Sequence, residues 1–552
     1  MKKDCTPEDE LLFLALGGSG EIGMNLNLYG CRGKWLMVDL GMSFGAAEYP
    51  GTELMFPDPD FIEERLDDLI GIVLTHAHED HIGAIPYFAA DFGVPLYATP
   101  FTAELILRKL QEAGLVDAVE LNVISEDHGS INLDPFTITY IPLAHSIAEG
   151  NALLIETPFG HVFHTGDWKL DDEPQIGTPA TEEELTEIGN EGVLALVCDS
   201  TNVFNEATAG SEGEVYRGLL EEISLHRGKR VLVTTFASNV ARLQTLGAIA
   251  EQTGRRLCVA GRSLDRIIEV AQANGYLADL PELVDFDEAM GLPRGEVLIL
   301  ATGGQGEPRA ALARVAEDNH PLKLVAGDVV LFSSRQIPGN ELAIGRVQNM
   351  LAERGITMVT DRQSEIHVSG HPGRPDLEAL YGWLRPEILV PVHGEIRHMQ
   401  EQARLGARCG IEHNVFQKNG DIVRLAPGAP GKIGEIHTGR LVLDGDIIVP
   451  SDGEAVTMRR RLARDGILIV VLGDGDGVRV EGVGLPLDED YPAFVAEARA
   501  DILTAIGKLR GPERKSEDAI AEAARLAARR CAQRWSGKKP QTRVILSRTP
   551  EA

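Results

Sequence analysis

The sequence predicts a layered α/β fold that is interrupted by a second α/β domain and followed by a small α+β domain. Residues 1–205 alternate short apolar strands with glycine turns, and several strands end in His or Asp, which is typical of a layered α/β domain with its site on the loops. Residues 206–361 change to longer alternating helices and strands, the pattern of a doubly wound parallel sheet. The first pattern returns over residues 362–455, so we expect the middle segment to be an insertion, and residues 456–552 form the last domain.

The individual elements follow from the apolar patterns in chain order. Five segments of the first domain are apolar and turn polar at their carboxyl ends: "KWLMVDLGM", "IGIVLTHAH", "FTITYIPLAH", "GHVFHTGD" and "GVLALVCDS". The insertion pairs the helix-like "EGEVYRGLLEEISLH" with the strands "RVLVTTFAS", "RLCVAG", "EVLILATGG" and "DVVLFSS". "EILVPVHGE" resumes the first pattern, and "LAPGAPGKIG" at 425–434 is the strongest linker signal. In the last domain, the strands of "GILIVVLGDGDGVRVEGVGL" precede the helices "FVAEARADILTAIGKL" and "EDAIAEAARLAARRCAQRW".

Length and composition indicate a globular chain of several domains. At 552 residues, the chain is too long for one hydrophobic core. It has no run of about 18 apolar residues, so no membrane span is expected. The first apolar run is too short for a signal sequence and has no small-residue cleavage site after it. Six cysteines without CxxC spacing predict reduced thiols and therefore a cytoplasmic location.

The charge balance argues, taken alone, against a polyanionic partner. The net charge is −32, whereas non-specific nucleic-acid binding requires Lys and Arg to neutralise phosphates. Basic residues near the end of the chain are a local exception, namely Lys508, Arg510, Arg514, Lys515, Arg525, Arg529, Arg530, Arg534, Lys538, Lys539 and Arg543. Two interpretations of this group stay open, a solvated helix face and a contact with RNA.

The stretch "LTHAHEDHIGAIPY" predicts a metal site. It places His76, His78, Asp80 and His81 directly after an apolar strand. Divalent metals at hydrolytic sites take imidazole and carboxylate ligands and leave one position for water. His76 and His78 can face one ion while Asp80 and His81 face a second. Because burying four such groups without a metal is unfavourable, a purely structural role is a weak alternative.

Each ion then needs further ligands, and three candidates end predicted strands: His145, Asp167 and His393. A carboxylate such as Asp167 has two oxygens and can bridge two cations. A pair of ions about 3.5–4 Å apart lowers the pKa of a shared water and clamps the attacking and leaving oxygens of a displacement. We expect the other candidates, His128, His161 and His164, to be structural.

Nine motifs together resemble the metallo-β-lactamase superfamily and, within it, the ribonuclease J family of β-CASP nucleases. They are "LGGSGEIGMNLNLY", "LTHAHEDHIGA", "HTGDWKLD", "CDSTN", "VTTFASN", "TGGQGEP", "IPGNE", "HVSGH" and "PVHGE". The resemblance covers essentially the whole chain in order. It implies a metallo-β-lactamase αββα sandwich with an inserted β-CASP α/β domain and a small α+β C-terminal domain. It also implies two divalent ions, with Zn²⁺ favoured over Mn²⁺ or Mg²⁺.

The resemblance also assigns roles to residues of this sequence. One ion is assigned His76, His78 and His145, the other Asp80, His81 and His393, and Asp167 bridges both. Asp199 in "CDST" and His371 in "HVSGH" match the β-CASP signature positions and join Asp80 as catalytic candidates. Whether Asp80 or His371 is the general acid stays open. Asp39 in "VDLGM" is expected to orient the ligand loop without binding metal.

The implied activity is RNA maturation and decay, by 5′-to-3′ digestion from a 5′-monophosphate end and by internal cuts. The implied terminal-phosphate pocket consists of Phe236, Ala237, Ser238, His367, Val368, Ser369, Gly370 and His371. Hydroxyl, imidazole and backbone N–H groups of this kind donate to phosphate oxygens. Five arginines near these motifs are candidates for lining an RNA channel, with surface solubility as the alternative: Arg242, Arg309, Arg335, Arg362 and Arg374. The sequence departs from the family pattern at Gly304, where Ser is common.

Other function classes stay open at this point. One is a small-molecule hydrolase of the same superfamily, such as a thioesterase or lactamase, and another is a β-CASP DNA nuclease. A third is a scaffold or RNA-binding subunit with an inactive site. The resemblance further implies homodimers or homotetramers, and the apolar stripe of the helix "EDAIAEAARLAARRCAQRW" is the expected association surface.

Overall fold

The computed structural model describes residues 9–45, 49–124, 130–336, 339–473 and 477–547. The motif "IPGNE" at 337–341 lies partly outside the described residues. Cys5 and His128 also lie outside them. The chain divides into two compact units, one formed by residues 1–43 and 56–438 and the other by residues 44–55 and 439–552. Across the described ranges, no helix combines the length and apolarity that a bilayer crossing requires. The domain boundaries at 205, 361 and 455 stay predictions.

Two large sheets form the sandwich of the first unit. The eight strands of the first sheet are, in spatial order, Gly431–Glu435, Asp421–Ala426, Leu11–Gly17, Leu26–Cys31, Lys34–Val38, Leu69–Val73, Leu96–Ala98 and Leu121–Val123. The seven strands of the second sheet are Ile131–Leu133, Phe136–Pro142, Asn151–Thr157, Gly160–His164, Ala195–Asp199, Ile388–Val392 and His413–Asn414. Buried residues of both sheets, such as Phe13, Val73, Ile155 and Val390, form one shared core.

Helices cover the outer faces of this sandwich. They are Asp60–Glu63, Glu79–Ile82, Ile85–Phe92, Pro100–Ala113, Glu182–Glu191, Arg374–Leu384 and Ile396–Arg408. Leu185, Leu380 and Leu405 pack from three of these helices onto the second sheet in a further core. A helix–sheet–sheet–helix arrangement results because each sheet buries one face against the other and one against helices. The predicted layered α/β class is confirmed.

Parallel neighbours in the second sheet bring site residues to one edge. Gly160–His164, Ala195–Asp199 and Ile388–Val392 run parallel side by side. Their carboxyl ends therefore meet at the same edge of the sheet, where Asp167 and His393 follow. The central strands are buried on both faces, which explains their continuous apolar runs.

The insertion is a five-stranded parallel sheet with helices between its strands. In spatial order the strands are Arg256–Ala260, Val297–Ala301, Val231–Thr234, Val329–Phe332 and Thr357–Thr360. The helices are Glu212–Leu225, Val240–Thr253, Arg262–Ala273, Phe286–Gly291, Ala311–Ala316 and Glu341–Glu353. The first of these helices begins at a capping box in which Ser211 and Glu214 satisfy each other's backbone N–H groups. The predicted doubly wound parallel sheet is confirmed.

The connection that follows the first strand, Val231–Thr234, runs to one side of the sheet. The connection that follows Val329–Phe332 runs to the other side. These two strands are neighbours, so the crevice at their carboxyl ends is the topological switch point, where ligands bind in open α/β sheets. The residues that follow the two strands are "TFAS" and "SSR". The sheet topology therefore points to the same segment that the "VTTFASN" motif singled out.

The described residues of the second unit contribute to two sheets and form three α-helices. Ile447–Pro450, Arg440–Asp444, residues 54–55 of the strand Leu54–Pro57 and residue 44 of the strand Ser43–Phe44 belong to a four-stranded sheet, and the three-stranded sheet contains Val478–Val483, Ile467–Leu472 and Gln541–Leu546. The helices are Glu454–Asp465, Tyr491–Gly507 and Glu517–Ser536. Ala524, Ala528 and Cys531 of the last helix are buried in a core with Phe494 and Ile502. The apolar stripe of this helix is thus covered within the unit, which differs from the expected association surface.

Gly41 holds the loop that carries Asp80 and His81. Leu40 N donates to His81 O over 2.7 Å, and Met42 N donates to Glu79 O over 3.0 Å. A Cβ added at Gly41 would lie 1.8 Å from Asp80 O, a backbone atom that cannot move alone. The two segments can approach this closely because residue 41 has no side chain.

We predict that Gly41→Ala destabilises the first unit by about 1–3 kcal/mol through this overlap. Differential scanning calorimetry should show a lower melting temperature. Gly382→Ala is the matched control, because residue 382 lies in the helix Arg374–Leu384 with nothing within 4 Å of its added Cβ. There the substitution should leave stability unchanged or raise it by about 0.5–1 kcal/mol. Equal melting temperatures for the wild type and Gly41→Ala would contradict the packing described.

Candidate metal centre

Four donor atoms of the first unit converge on one point. His76 Nε2 and His145 Nε2 each lie 3.1 Å from His78 Nδ1. Asp167 Oδ2 lies 3.9 Å from His76 Nε2 and 3.8 Å from His145 Nε2. The four side chains come from three separate loops, and His76, His145 and Asp167 are buried. This set matches the ligands that were predicted for one ion.

A second set lies on the other side of Asp167. His81 Nε2 is 3.3 Å from Asp167 Oδ2 and 3.7 Å from Asp80 Oδ2. His393 Nε2 is 3.1 Å from Asp80 Oδ2. Asp167 Oδ2 therefore faces both sets, and the structure brings all seven predicted ligands together around its carboxylate.

The donor set fits divalent cations. Zinc binds its ligands at about 2.0–2.2 Å in a tetrahedron, which puts ligand atoms about 3.3–3.6 Å apart, close to the separations above. Asp167 Oδ1 is buried, accepts no hydrogen bond from the described residues and lies 3.3 Å from His393 Nδ1. A buried carboxylate oxygen without a donor is unusual unless a cation or water supplies the missing interaction. Imidazole and carboxylate ligands accept zinc and manganese alike, so the residues do not select one metal.

Asp39 and Thr75 fix the orientation of two histidine rings through hydrogen bonds to the ring nitrogens that face away from the donor sets. His81 Nδ1 donates to Asp39 Oδ2 over 2.7 Å, and His76 Nδ1 donates to Thr75 Oγ1 over 3.0 Å. Thr75 donates in turn to Asp39 Oδ2 over 2.9 Å. Because Nδ1 carries the proton in each ring, Nε2 keeps a lone pair that can bind a metal. The Nε2 of His81 accepts a hydrogen bond of 3.1 Å from Asn25 Nδ2. Asp39 thus lies where an orienting residue is expected.

The other two rings of the first set are held by segments beyond the first part of the sandwich. His145 Nδ1 donates to Gly370 O over 2.6 Å, and a hydrogen bond of 3.1 Å joins His78 Nε2 to Ser238 Oγ. Ser238 belongs to "FAS" and Gly370 to "HVSGH", the two segments of the predicted phosphate pocket. The candidate metal centre and the candidate pocket are therefore in direct contact.

Two site residues have backbone conformations that are unusual for residues other than glycine. The φ angle is +63° at Asp39 and +49° at His393. Such left-handed residues persist only where their surroundings hold them. The Thr201 hydroxyl donates to His393 O over 2.8 Å and lies 2.8 Å from His393 Nδ1. Both outliers turn a side chain inward at the carboxyl end of a strand.

The electrostatics of the two sets differ. Burial lowers the pKa of His78 to about 4 and holds the pKa values of His76 and His145 well below the usual value. Burial opposes the charged form of His393 too, but the Asp167 and Asp199 carboxylates outweigh it and raise the pKa to about 10. The negative charge of the carboxylates thus favours a cation at this place. A bound divalent metal would provide that positive charge in place of a proton on His393.

Asp199 and His371 form a pair beside the second set. His371 Nδ1 donates to Asp199 Oδ2 over 2.7 Å, and Thr201 N donates to Asp199 Oδ1 over 2.8 Å. The ring of His371 stacks on that of His393 with centroids 5.6 Å apart. Burial works against the charged imidazole, but Asp199 outweighs it, so the pKa of His371 is raised. His164, expected to be structural, pairs instead with the Tyr29 hydroxyl at 2.8 Å.

The switch point of the insertion contains a group of buried polar atoms without partners. Among the described residues, Thr234 Oγ1, Thr235 Oγ1, Ser334 Oγ and His367 Nδ1 make no hydrogen bond. A Cβ at Gly304 would lie 2.5 Å from Ser334 Oγ and 3.4 Å from Thr234 Oγ1, so these two hydroxyls border the same space. Several unsatisfied donors in one place indicate a polar ligand. Gly304 keeps that space open where a Ser would narrow it.

Arg242 corrects one expectation. Its side chain is completely buried, and its guanidinium binds Glu212 at 3.1 Å, so it cannot line an RNA channel. It also donates to Ile366 O over 3.2 Å and to Ser333. Arg242 thereby ties the residue before "HVSGH" to the end of the strand Val329–Phe332. Of the other channel candidates, Arg309, Arg335 and Arg362 are exposed, and Arg374 pairs with Glu401 at 3.3 Å.

Comparison with known protein families gives four consecutive matches. They are the metallo-beta-lactamase superfamily over residues 28–178, the ribonuclease J beta-CASP domain over 228–351, a Zn-dependent metallo-hydrolase RNA specificity domain over 356–416, and the ribonuclease J C-terminal domain over 454–549.

Similar proteins include the ribonuclease J of Sinorhizobium meliloti, which is 40% identical over 99% of this chain and 98% of its own length. That of Mycolicibacterium smegmatis is 38% identical over 84% of this chain and 83% of its own length. That of Thermus thermophilus is 34% identical over 91% and 89%, respectively. Among solved structures, a protein of unknown function from Enterococcus faecalis V583 covers 75% of this chain and 100% of its own, with a TM-score of 0.53 and 16% identity. This last likeness concerns the fold alone.

The two donor sets predict two metal ions per chain that depend on one shared carboxylate. Elemental analysis should find two equivalents of metal in the wild type and about one in His145→Ala. Asp167→Ala should bind less than one equivalent, because both sets lose a ligand. His413→Ala is the control and should keep two, because His413 pairs with Ile388 at the opposite end of the strand from His393 and is not among the donors. Full metal content in Asp167→Ala would contradict a bridging role.

Proposed function

The chain belongs to the ribonuclease J family, and we propose that it uses two divalent ions to digest RNA from a 5′-monophosphate end towards the 3′ end and to cut RNA internally. The chain is a metal-dependent ribonuclease of the β-CASP type. The number of ions, the preferred RNA end and the direction of digestion are the proposed parts. We further propose that the enzyme acts in RNA maturation and decay, with single-stranded RNA as its substrate.

One observation carries the proposal: the candidate metal centre and the group of unpartnered polar atoms share two connecting residues. Ser238 bonds His78, and Gly370 bonds His145. We place the 5′ phosphate at Ser334 and His367 and the bond to be cut at the metal centre. Only the first nucleotides of a chain can occupy such an arrangement, which favours cleavage at an end. For an internal cut, the RNA strand binds across the metal centre while the terminal-phosphate pocket stays empty.

In the proposed mechanism the protein positions the substrate and handles protons. When bound, the two ions lower the pKa of a water and neutralise charge on the attacked phosphate. Water adds to phosphorus, and the bond from phosphorus to the O3′ of the departing nucleotide breaks. The remaining RNA again carries a 5′ monophosphate, so the product of each step is the preferred substrate of the next.

We assign the general acid to His371 over Asp80. Asp199 accepts the proton of His371 Nδ1 in a hydrogen bond of 2.7 Å, which leaves Nε2 to pass a proton to the departing O3′. Asp80 Oδ2 faces His393 at 3.1 Å and is counted among the metal ligands. A carboxylate engaged in this way has no proton to give. Asp199 therefore acts as a positioning residue for His371.

The preference for a monophosphate rests on the size of the pocket. Gly304 borders it on one side, where an added Cβ would lie 2.5 Å from Ser334 Oγ, and we assign another side to the segment from His367 to His371. A triphosphate brings two further charged groups into a space bordered by protein. Buried hydroxyls and an imidazole match the oxygens of one phosphate.

A small-molecule hydrolase is a weaker candidate. The insertion contributes Ser238 to a ligand histidine, and a small thioester or lactam has no need of a second domain at the metals. A DNA nuclease differs only in the 2′-hydroxyl of its substrate, so matched RNA and DNA oligonucleotides distinguish these two nucleases. Five cysteines of the described residues are free thiols, which supports the proposed cytoplasmic location.

We also propose that the chain forms homodimers or homotetramers through its C-terminal domain. The three-stranded sheet of the second unit has one face on the core and one face open. On that open face Ile545 pairs with Val471 and is 52% exposed, and Val483 pairs with Ile467 and is 59% exposed. Arg479, Glu481 and Arg543 share the face. Its exposed apolar side chains support association more directly than the last helix does.

For the catalytic proposal, we expect the wild type to degrade 5′-monophosphorylated RNA faster than the same RNA with a 5′ triphosphate. His78→Ala should lower the rate on both by about a thousandfold, because a metal ligand is lost. Ser334→Ala should slow decay from the monophosphate end, yet leave the cutting of a circular RNA unchanged. His413→Ala is the control for general effects. Equal rates for His78→Ala and the wild type would rule out the proposed centre.

For association, we expect Val483→Glu with Ile545→Glu to convert the oligomer to monomers, as measured by light scattering. The buried charges would make the sheet-to-sheet contact unfavourable. Ile447→Glu is the control, because Ile447 is 66% exposed in the four-stranded sheet of the same unit. An unchanged mass for the double variant would exclude this sheet face as the interface.

A further inference from the structure

The second unit contains a cationic pocket that the proposed catalysis does not use. Seven of its thirteen lining residues are Lys or Arg, and the cavity has a volume of about 590 Å³. Five of the seven belong to the basic group near the end of the sequence, and Arg461 and Arg464 join them from an earlier helix. The fold thus collects cations that the sequence keeps far apart.

Three elements assemble the pocket. Arg525 and Arg529 are four residues apart in the helix Glu517–Ser536 and therefore share one face. Arg461 and Arg464 lie three residues apart in the helix Glu454–Asp465. Lys539 and Arg543 come from the strand Gln541–Leu546 and the turn before it.

Most of this charge is not neutralised by the protein. Asp465 pairs with Arg464 at 2.8 Å and Glu522 with Arg525 at 2.6 Å. Within the described ranges, no carboxylate lies within 4 Å of the charged nitrogens of Arg461, Lys539 or Arg543, which line the same cavity. Clustered cations without counter-ions repel one another unless anions from elsewhere bind between them.

Arg529 adds an independent sign of a missing ligand. Its Nε is buried and finds no acceptor among the described residues. An unsatisfied buried guanidinium nitrogen is destabilising, and a phosphate oxygen is an acceptor that fits it. Arg534 of the same helix, by contrast, binds Glu497 at 2.6 Å and Asp501 at 2.5 Å.

The distribution of charge along the chain makes this pocket distinctive. Residues 1–438 hold 33 Lys and Arg against 66 Asp and Glu, whereas residues 439–552 hold 19 against 18. The long-range field of the first part repels polyanions, so RNA capture depends on local concentrations of positive charge.

We propose that this pocket, built only from residues of the second unit, binds the phosphodiester backbone of single-stranded RNA. The inference rests on the proposed ribonuclease function. Guanidinium groups pair with phosphate oxygens in bidentate fashion, and unpaired cations from three elements can bind successive phosphates of one strand. The pocket recognises phosphate and no particular base, which suits a nuclease that degrades many RNAs. A free polyphosphate shares this chemistry and is distinguished by the experiment.

The experiment compares two triple variants of the full chain. Arg461→Gln, Lys539→Gln and Arg543→Gln remove three unpaired pocket cations. Arg499→Gln, Lys508→Gln and Arg510→Gln remove three exposed cations of the same unit that do not line the pocket. Binding of a fluorescent polyuridine strand with a 5′ hydroxyl is measured in chelator over a range of salt. Light scattering and melting curves verify that mass and folding are unchanged.

We expect the pocket triple to bind this RNA about tenfold more weakly and the control triple to change little. The slope of log affinity against log salt should fall by about 0.7 for each lost phosphate contact, so by about 2 in total. Arg529→Lys, which keeps the charge but not the planar fork, should weaken binding in the same direction. Both triples should hydrolyse a 5′-monophosphorylated tetranucleotide as fast as the wild type, because none of the substituted residues belongs to the metal centre or to the terminal-phosphate pocket.

An equal loss of RNA affinity in the two triples would overturn the inference, because the total charge of the unit would then explain the binding. No loss in either triple would overturn it too, because the pocket would then not bind RNA. Loss of tripolyphosphate binding in the pocket triple with unchanged RNA binding would also overturn it, because the pocket would then hold a free anion. If the wild type fails to cleave the tetranucleotide, the proposed function fails by itself. The binding comparison is made without turnover and still decides the inference.

Discussion

The Asp167 carboxylate is the interaction on which the rest of the site depends. It faces His76, His81 and His145 through one oxygen, within 3.3–3.9 Å, and leaves its other oxygen buried without a hydrogen bond. Imidazoles and carboxylates at this density are unfavourable in a buried cleft unless cations join them. The sheet topology enforces the density, because parallel strands deliver their terminal residues to one edge. Strain at Asp39 and His393 is tolerated for the same reason.

The insertion adds a candidate pocket for the 5′ end of RNA to a centre that could otherwise hydrolyse many substrates. Its switch point collects hydroxyls that find no hydrogen-bond partner in the described parts of the chain, and its Ser238 bonds His78. Chemistry and recognition thus come from different domains that share one hydrogen-bonded boundary. Arg242, buried with Glu212, keeps the two pocket segments in register. The second unit adds a separate concentration of positive charge to a chain that is otherwise strongly acidic.

Much of this was predictable from the sequence, and the failures have physical causes. Residues such as His145 and Asp167 could be selected because polar residues after apolar strands reach a common edge. Thr75 and Ser334 were missed because a single hydroxyl has no periodicity or spacing that marks it. Arg242 was considered for an RNA channel because sequence places it near a motif but cannot show that Glu212 buries it. The tail helix was assigned to association because its apolar stripe cannot reveal which surface covers it.

The most direct test of the two-metal account is anomalous diffraction from crystals of the wild type grown with zinc or manganese. The account predicts two anomalous peaks on either side of the Asp167 carboxylate, about 3.5–4 Å apart. One peak should be bound by His76, His78 and His145, and the other by Asp80, His81 and His393. A single peak, or two peaks that do not share Asp167, would contradict it.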